Sequence, residues 1–349
     1  MTDPVVKFEN VSIVFGDKPK SALPLIDSGM DRAEIQTECG QILGVADCSL
    51  EIHEGEVLVL MGLSGSGKST LLRAVNALNP VVRGKVSVRC PDDGKWRDPH
   101  ACSKGELREL RLDWVSMVFQ QFGLLPWRTV EENVGFGLEL AGRDKAETRQ
   151  KVAEQLELVG LADWSEKRVQ ELSGGMQQRV GLARAFATEA PILLMDEPYS
   201  ALDPLIRARL QDELIDLQQR LKRTIIFVSH DLDEAIKIGS RIAIMEGGRI
   251  IQVGTAQEIL TNPANEYVAD FVAHMNPLAV LRAGEAMRKI SGRKRGHAKA
   301  SAVAPDTSLS DIMRLQLETG LPVYVEKKGR ITGIIEGDDV HRALLNRLA

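Results

Sequence analysis

The chain has 349 residues and a formal charge of −5, with 44% hydrophobic and 27% charged residues. That length suggests about two domains and a sizeable buried core, which excludes a chain disordered throughout. The acidic balance argues against a nucleic-acid partner, and no apolar run approaches the ~18 residues that span a bilayer.

Met1-Thr2-Asp3-Pro4 lacks the basic and apolar regions of a signal peptide, so a cytosolic chain is expected. Cys39, Cys48, Cys90 and Cys102 form no CxxC pair and read as reduced thiols. Cys90, His100 and Cys102 lack an evident fourth zinc ligand. Five short runs of largely aliphatic residues follow: Val57–Met61, Val115–Phe119, Ile192–Met195, Ile225–Val228 and Ile242–Met245. Such runs predict strands buried on both faces, usually in a parallel sheet. Leu71, Leu72, Val75 and Leu78 predict a helix face after the first run. Leu210, Leu214, Leu217 and Leu221 predict another after the third. The alternation is that of an α/β fold.

Residues 130–187 carry no convincing strand and read as a helical insertion. Arg288, Lys289, Arg293, Lys294, Arg295 and Lys299 fall in a stretch without an acid. With the Gly-, Ala- and Ser-rich 292–305, they predict a basic, solvated linker over 277–304. Residues 305–349 have a helix–strand–strand–helix rhythm and are small for a domain that folds alone.

Gly62-Leu-Ser64-Gly65-Ser66-Gly67-Lys68-Ser69-Thr70 fits GxxxxGK[ST] between a predicted strand and a predicted helix. Its glycines let backbone N–H groups turn inward around phosphate oxygens at a helix N-terminus. Lys68 can reach the β- and γ-phosphates, and the Ser69 hydroxyl can sit on Mg²⁺. Asp196 ends the apolar run Ile192–Met195 and can hold the metal; Glu197 follows, placed to act as general base toward water.

At these residues the chain resembles the ATP-binding cassette (ABC) ATPases over about 5–275. Leu172-Ser173-Gly174-Gly175-Met176-Gln177-Gln178-Arg179 is similar to that family's signature motif. It is a second capped helix start with exposed backbone N–H groups and no catalytic lysine. The resemblance implies a P-loop cassette with an antiparallel β subdomain and a helical subdomain at about 122–187, within an ATP-binding domain of 1–276. It implies two ATP sites in a head-to-tail dimer of two copies, each between Lys68 of one and Ser173 of the other. It also implies that Gln120 links Mg²⁺ and the attacking water to a membrane partner. Ser200-Ala201-Leu202-Asp203 would communicate across the dimer, and His230 would contact the γ-phosphate. Phe15 would stack on adenine, with Phe8 the competing aromatic. The reaction implied is ATP hydrolysis with Mg²⁺.

The 128 positions from Lys68 to Asp196 hold no sustained heptads, unlike repair and chromosome cassettes. A narrower resemblance, to the glycine betaine/proline/choline (quaternary amine) uptake family, rests on the insertion between Phe15 and Gly44, the string Val57–Thr70 and Met245–Ile251. It implies an importer's ATPase subunit, peripheral at the cytoplasmic membrane face. Its partners would be permease subunits and, indirectly, an extracytoplasmic substrate-binding protein. A non-transport regulatory ATPase and a cassette for another small solute are the alternatives. A groove near Gln120–Glu132, lined by Phe122, Leu124, Leu125, Pro126 and Trp127, would receive a permease helix. Residues 305–349 resemble one cystathionine-β-synthase (CBS) repeat through Leu309–Ile312, Gly320–Val325, Ile331–Ile335 and Asp339-Val340.

Overall fold

The computed structural model describes residues 3–120, 123–200, 202–273, 275–292 and 300–345. It comprises two compact units, Met1–Asp231 with Ile238–Val253, and Leu232–Lys237 with Gly254–Ala349.

The first unit is built on a six-stranded sheet. Its order is Arg249–Gly254, Arg241–Glu246, Val57–Met61, Thr224–Val228, Ile192–Asp196, Val115–Val118. The inner pairs are parallel, with Leu58 opposite Ile226 and Leu194 opposite both Met117 and Ile226. Every residue of Val57–Met61, Ile192–Asp196 and Thr224–Val228 is buried, which is why each segment is apolar without alternation. The five predicted strands all lie in this sheet, with small differences at their ends. A four-stranded antiparallel sheet, ordered Ile42–His53, Pro4–Phe15, Arg83–Arg89, Trp96–Arg97, shares an apolar core with it through Val6, Ile13, Val45, Leu60 and Leu71.

The helix after the phosphate loop is shorter than its apolar pattern predicts. It covers Lys68–Leu72; Val75 is buried, Ala77 adopts a left-handed φ of 54°, and Leu78 is exposed. The later helix runs Pro204–Leu221, capped by Asp203, with Leu210 and Leu214 buried. Between 130 and 187 lie four α-helices, Val130–Val134, Phe136–Leu140, Lys145–Leu158 and Gly174–Ala187. Thr129, Asp144 and Ser173 cap three of them.

In the second unit the predicted rhythm appears as Leu309–Thr319, Val323–Lys327, Arg330–Ile335 and Gly337–Leu345. The expected linker 277–304 is corrected. It holds two short helices, Pro277–Val280 and Ala283–Ala286, and two strands, Arg288–Gly292 and Ala302–Val303. The strands flank the hairpin to complete a four-stranded sheet. Leu281 and Ala283 pack in one core with Leu309, Ile312, Val325 and Ile335. The Arg288 guanidinium reaches buried Asp339 at 3.0 Å and Glu336 at 2.6 Å, so part of the basic stretch is structural. Arg293, Lys294, Arg295 and Lys299 lie outside the described residues.

Candidate functional site

The phosphate loop starts where Val57–Met61 leaves the sheet. Gly62 has φ of 142°, and a Cβ there would fall 2.1 Å from the Met245 carbonyl oxygen, so only glycine fits the turn. Lys68 folds back over the loop, and its ammonium donates to the carbonyls of Gly62 at 2.8 Å and Leu63 at 3.0 Å. Burial pushes the Lys68 ammonium down from the usual lysine range, and the carboxylates of Glu197 and Asp196 oppose that fall. The Ser66 hydroxyl oxygen is buried without a partner.

The parallel pairing of Ile192–Asp196 with Thr224–Val228 brings Asp196 to the same end of the sheet as the loop. Ser69 Oγ donates to Asp196 Oδ1 at 2.6 Å. Arg73 donates from Nε and Nη2 to Asp196 Oδ2 at 3.1 and 2.8 Å. Asp196 is 0% exposed, and this guanidinium, with the Lys68 ammonium nearby, balances its charge. Arg73 is not among the site residues expected from the sequence. The available signal was spacing: four residues after Ser69, it shares that residue's helical face.

Glu197 turns out of the strand with a left-handed φ of 48°. Its backbone N–H donates to the Val228 carbonyl at 3.2 Å. Its carboxylate accepts from Gln120 Nε2 at 3.0 Å and lies 3.7 Å from His230 Nδ1. Gln178, named in the signature string but with no role expected of it, donates from its buried amide to the Glu197 carbonyl at 3.4 Å. The structure thus brings together Gln120, Glu197 and His230 around one carboxylate, beside Lys68, Ser69 and Asp196. Gln120, expected beside Mg²⁺ and the attacking water, donates its amide to the Glu197 carboxylate.

Phe15 ends its strand half-buried, whereas Phe8 is buried in the core. A Cβ on Gly44 would sit 2.9 Å from both the Phe15 ring and the Thr70 methyl, so Phe15 lies one glycine away from the phosphate-loop helix. Ser173 is exposed and accepts from the Met176 N–H at 3.4 Å, while Gln177 donates to the carbonyls of Val169 and Leu172, both at 3.1 Å. These bonds are local to the start of the signature helix, and Gly174 faces open space. In the expected groove, Leu124 and Leu125 are half-buried and Trp127 is 66% exposed, while Phe122 lies outside the described residues.

The donor set suits MgATP. A serine hydroxyl beside a buried carboxylate offers the hard oxygen ligands that Mg²⁺ takes. The partnerless Ser66 hydroxyl and the glycine turn form a polar cradle around Lys68.

The family description "ABC transporter" matches residues 45–200, and "CBS domain" matches 299–346. The glycine betaine transport ATP-binding protein OpuAA of Bacillus subtilis (strain 168) is 44% identical, covering 97% of this chain and 78% of the relative. The glycine betaine/proline betaine transport system ATP-binding protein ProV of Escherichia coli (strain K12) is 44% identical, covering 97% and 82%. The trimethylamine N-oxide transport system ATP-binding protein TmoW of Ruegeria pomeroyi is 41% identical, covering 96% of each chain. Among solved structures, the dimeric post-hydrolysis state of the ATP-binding cassette MJ0796 bound to ADP and Pi is 30% identical. It covers 72% of this chain and 98% of that one, with a TM-score of 0.61.

Proposed function

This chain belongs to the ABC transporter family, among its quaternary-amine importer ATPases, and from that premise we propose that it hydrolyses MgATP to drive uptake of glycine betaine, choline or a related quaternary amine. The observation that carries the reading is the polar cluster at the strand ends, where Lys68, Ser69, Asp196, Glu197, Gln120 and His230 converge.

Lys68 and the loop N–H groups bind the phosphates and stabilise charge on the transferring phosphoryl group. Ser69 and Asp196 would hold Mg²⁺, which when bound neutralises phosphate charge. Glu197 accepts a proton from the attacking water and orients it. Gln120 fixes that carboxylate from one side, and His230 stands at the other, 64% exposed and open to a γ-phosphate. Ser173, Gly174, Gly175 and Gln177 serve the ATP held by a second copy, in keeping with the dimeric cassette relative. The chain works with permease subunits, as an importer cassette does. Among the described residues no helix is long and apolar enough to cross a membrane; a peripheral place at the cytoplasmic face rests on the likeness to importer ATP-binding proteins. A substrate-binding protein completes the assembly.

Trimethylamine N-oxide is the second solute to test, because the relative named for its transport aligns over 96% of both chains. The test is uptake by vesicles holding this chain with its permease and binding protein, using labelled glycine betaine, choline and trimethylamine N-oxide. ATP-dependent accumulation of at least one is expected; accumulation of none, with ATPase intact, would contradict the transport assignment.

A further inference from the structure

The insertion between Phe15 and Gly44 is a folded brace. Its helix Arg32–Cys39 starts in a reciprocal cap, where Asp31 accepts from the Glu34 N–H at 2.8 Å and Glu34 from the Asp31 N–H at 2.7 Å. Ile26 and Ile35 pack with Val14, Leu43 and Ala46 in a small apolar cluster. Arg83 ties the insertion to the antiparallel sheet by bridging Asp27 at 2.6 Å and Asp47 at 2.5 Å.

This brace delivers one side chain to the phosphate loop. Arg32 Nη1 donates to the carbonyl of Gly65, and Nη2 donates to the carbonyl of Gly44 at 3.0 Å. Gly65 is a loop residue with φ of 79°. In a trans peptide the carbonyl and the following N–H point in opposite directions. Holding the Gly65 oxygen toward Arg32 therefore turns the Ser66 N–H the other way. It donates there to the Leu63 carbonyl at 3.1 Å, the same oxygen that receives the Lys68 ammonium at 3.0 Å. Arg32, the Gly65–Ser66 peptide, the Leu63 carbonyl and Lys68 thus form one connected set. The second guanidinium contact, to Gly44, joins the loop to the strand that carries Gly44 beside Phe15 and Thr70.

We propose that Arg32 is a positioning residue for the phosphate loop: through it, the insertion holds the Gly65–Ser66 peptide and the Lys68 ammonium in their phosphate-binding arrangement, and so sets affinity for ATP more than the rate of its hydrolysis. The proposal rests on the ATPase reading above. Without the guanidinium, the Gly65 carbonyl loses its donor and the Gly65–Ser66 peptide is held only through the Ser66 N–H, so nucleotide binding must then restore part of the loop's order.

The test uses the full chain assembled with its permease in vesicles. ATPase KM and kcat are measured for wild type, Arg32→Ala, Arg32→Met and Arg32→Lys, with ADP affinity from equilibrium titration. Arg32→Met keeps the aliphatic stem and guards against a folding defect in Arg32→Ala. Losing charge-assisted bonds to the loop should raise KM and the ADP Kd about tenfold in Arg32→Met, with kcat within about twofold of wild type. Arg32→Lys, which keeps a cationic donor, should recover most of that affinity. Unchanged KM and Kd in Arg32→Met, a fall confined to kcat, or no recovery in Arg32→Lys would each overturn the proposal. Wild type and Lys68→Ala are the controls for the underlying reading. An inactive wild type, or full activity in Lys68→Ala, overturns the ATPase assignment itself, whereas an active wild type with indifferent Arg32 variants overturns only the role of Arg32.

Discussion

Asp196 has no access to solvent, yet it has three hydrogen bonds, from Ser69 Oγ and from two nitrogens of Arg73. The charge of Arg73 therefore compensates a carboxylate that a metal would otherwise neutralise. Arg73→Ala should lower stability without nucleotide by about 1.5–3 kcal/mol, because it removes charge-assisted hydrogen bonds from a buried carboxylate. MgATP should recover most of that loss, since the cation replaces the guanidinium as counter-charge. Thermal melts of wild type and variant, with and without MgATP, check this; an equal MgATP-induced shift in both would contradict it. Asp196 and Ser69 were legible in the sequence because the loop pattern and the apolar strand before Asp196 are local. The partner Arg73 is marked in the sequence only by its helical spacing from Ser69. The hold of Gln120 and Gln178 on Glu197 was not legible, because it depends on segments far apart in the chain meeting at a left-handed residue.

At the scale of elements, legibility followed burial. Strands covered on both faces announced themselves as unbroken apolar runs. Pro4–Phe15 and Ile42–His53 mix exposed polar residues such as Glu9, Asn10 and Glu51 with buried ones, and their register shifts blur the alternation. Arg288–Gly292 looked like linker because its composition is basic, but its strand conformation comes from pairing with Ile331, Gly333 and Ile334, which local composition does not record. The loop Leu125–Thr129 is braced by buried Asn133, by a bond from the Arg128 N–H to the Leu125 carbonyl at 3.1 Å and by a bridge from Thr129 to Arg168. Asn133 accepts from the Leu125 N–H at 2.8 Å and donates to the carbonyls of Leu125 at 3.1 Å and Thr129 at 2.8 Å. Exposed Trp127 is displayed on that loop. Trp127→Asp should leave stability within about 0.5 kcal/mol, as surface changes do. It should uncouple hydrolysis from uptake if Trp127 meets the permease. Vesicle assays that follow both rates check this, and unchanged uptake would remove the loop from the coupling surface.

For the whole molecule, the two compact units assign their residues differently from the boundary expected at 277. The second unit begins its main segment at Gly254, and its core uses Leu281, Ala283 and Ala286 as well as the CBS-like residues. The fragment 305–349 is therefore not left to fold alone. Asp339, buried and bonded to Arg288 and to the Glu336 N–H at 2.9 Å, locks the added strand to the final helix. Asp339→Ala should destabilise the second unit by about 1–3 kcal/mol, through the lost charge-assisted bonds. ATP affinity should be unchanged. Hydrogen exchange at 288–292 and 330–335, alongside nucleotide titration, separates the two effects.

We propose Glu197, held by Gln120 and facing His230, as the base for ATP hydrolysis in an importer's motor subunit. The most direct measurement of that role is Glu197→Gln in the assembled importer, with ATP binding, hydrolysis and solute uptake followed in the same vesicles. Loss of a general base should leave ATP binding within about threefold of wild type and lower hydrolysis and uptake together by at least about 10²-fold. Near-normal hydrolysis by the variant would contradict the claim.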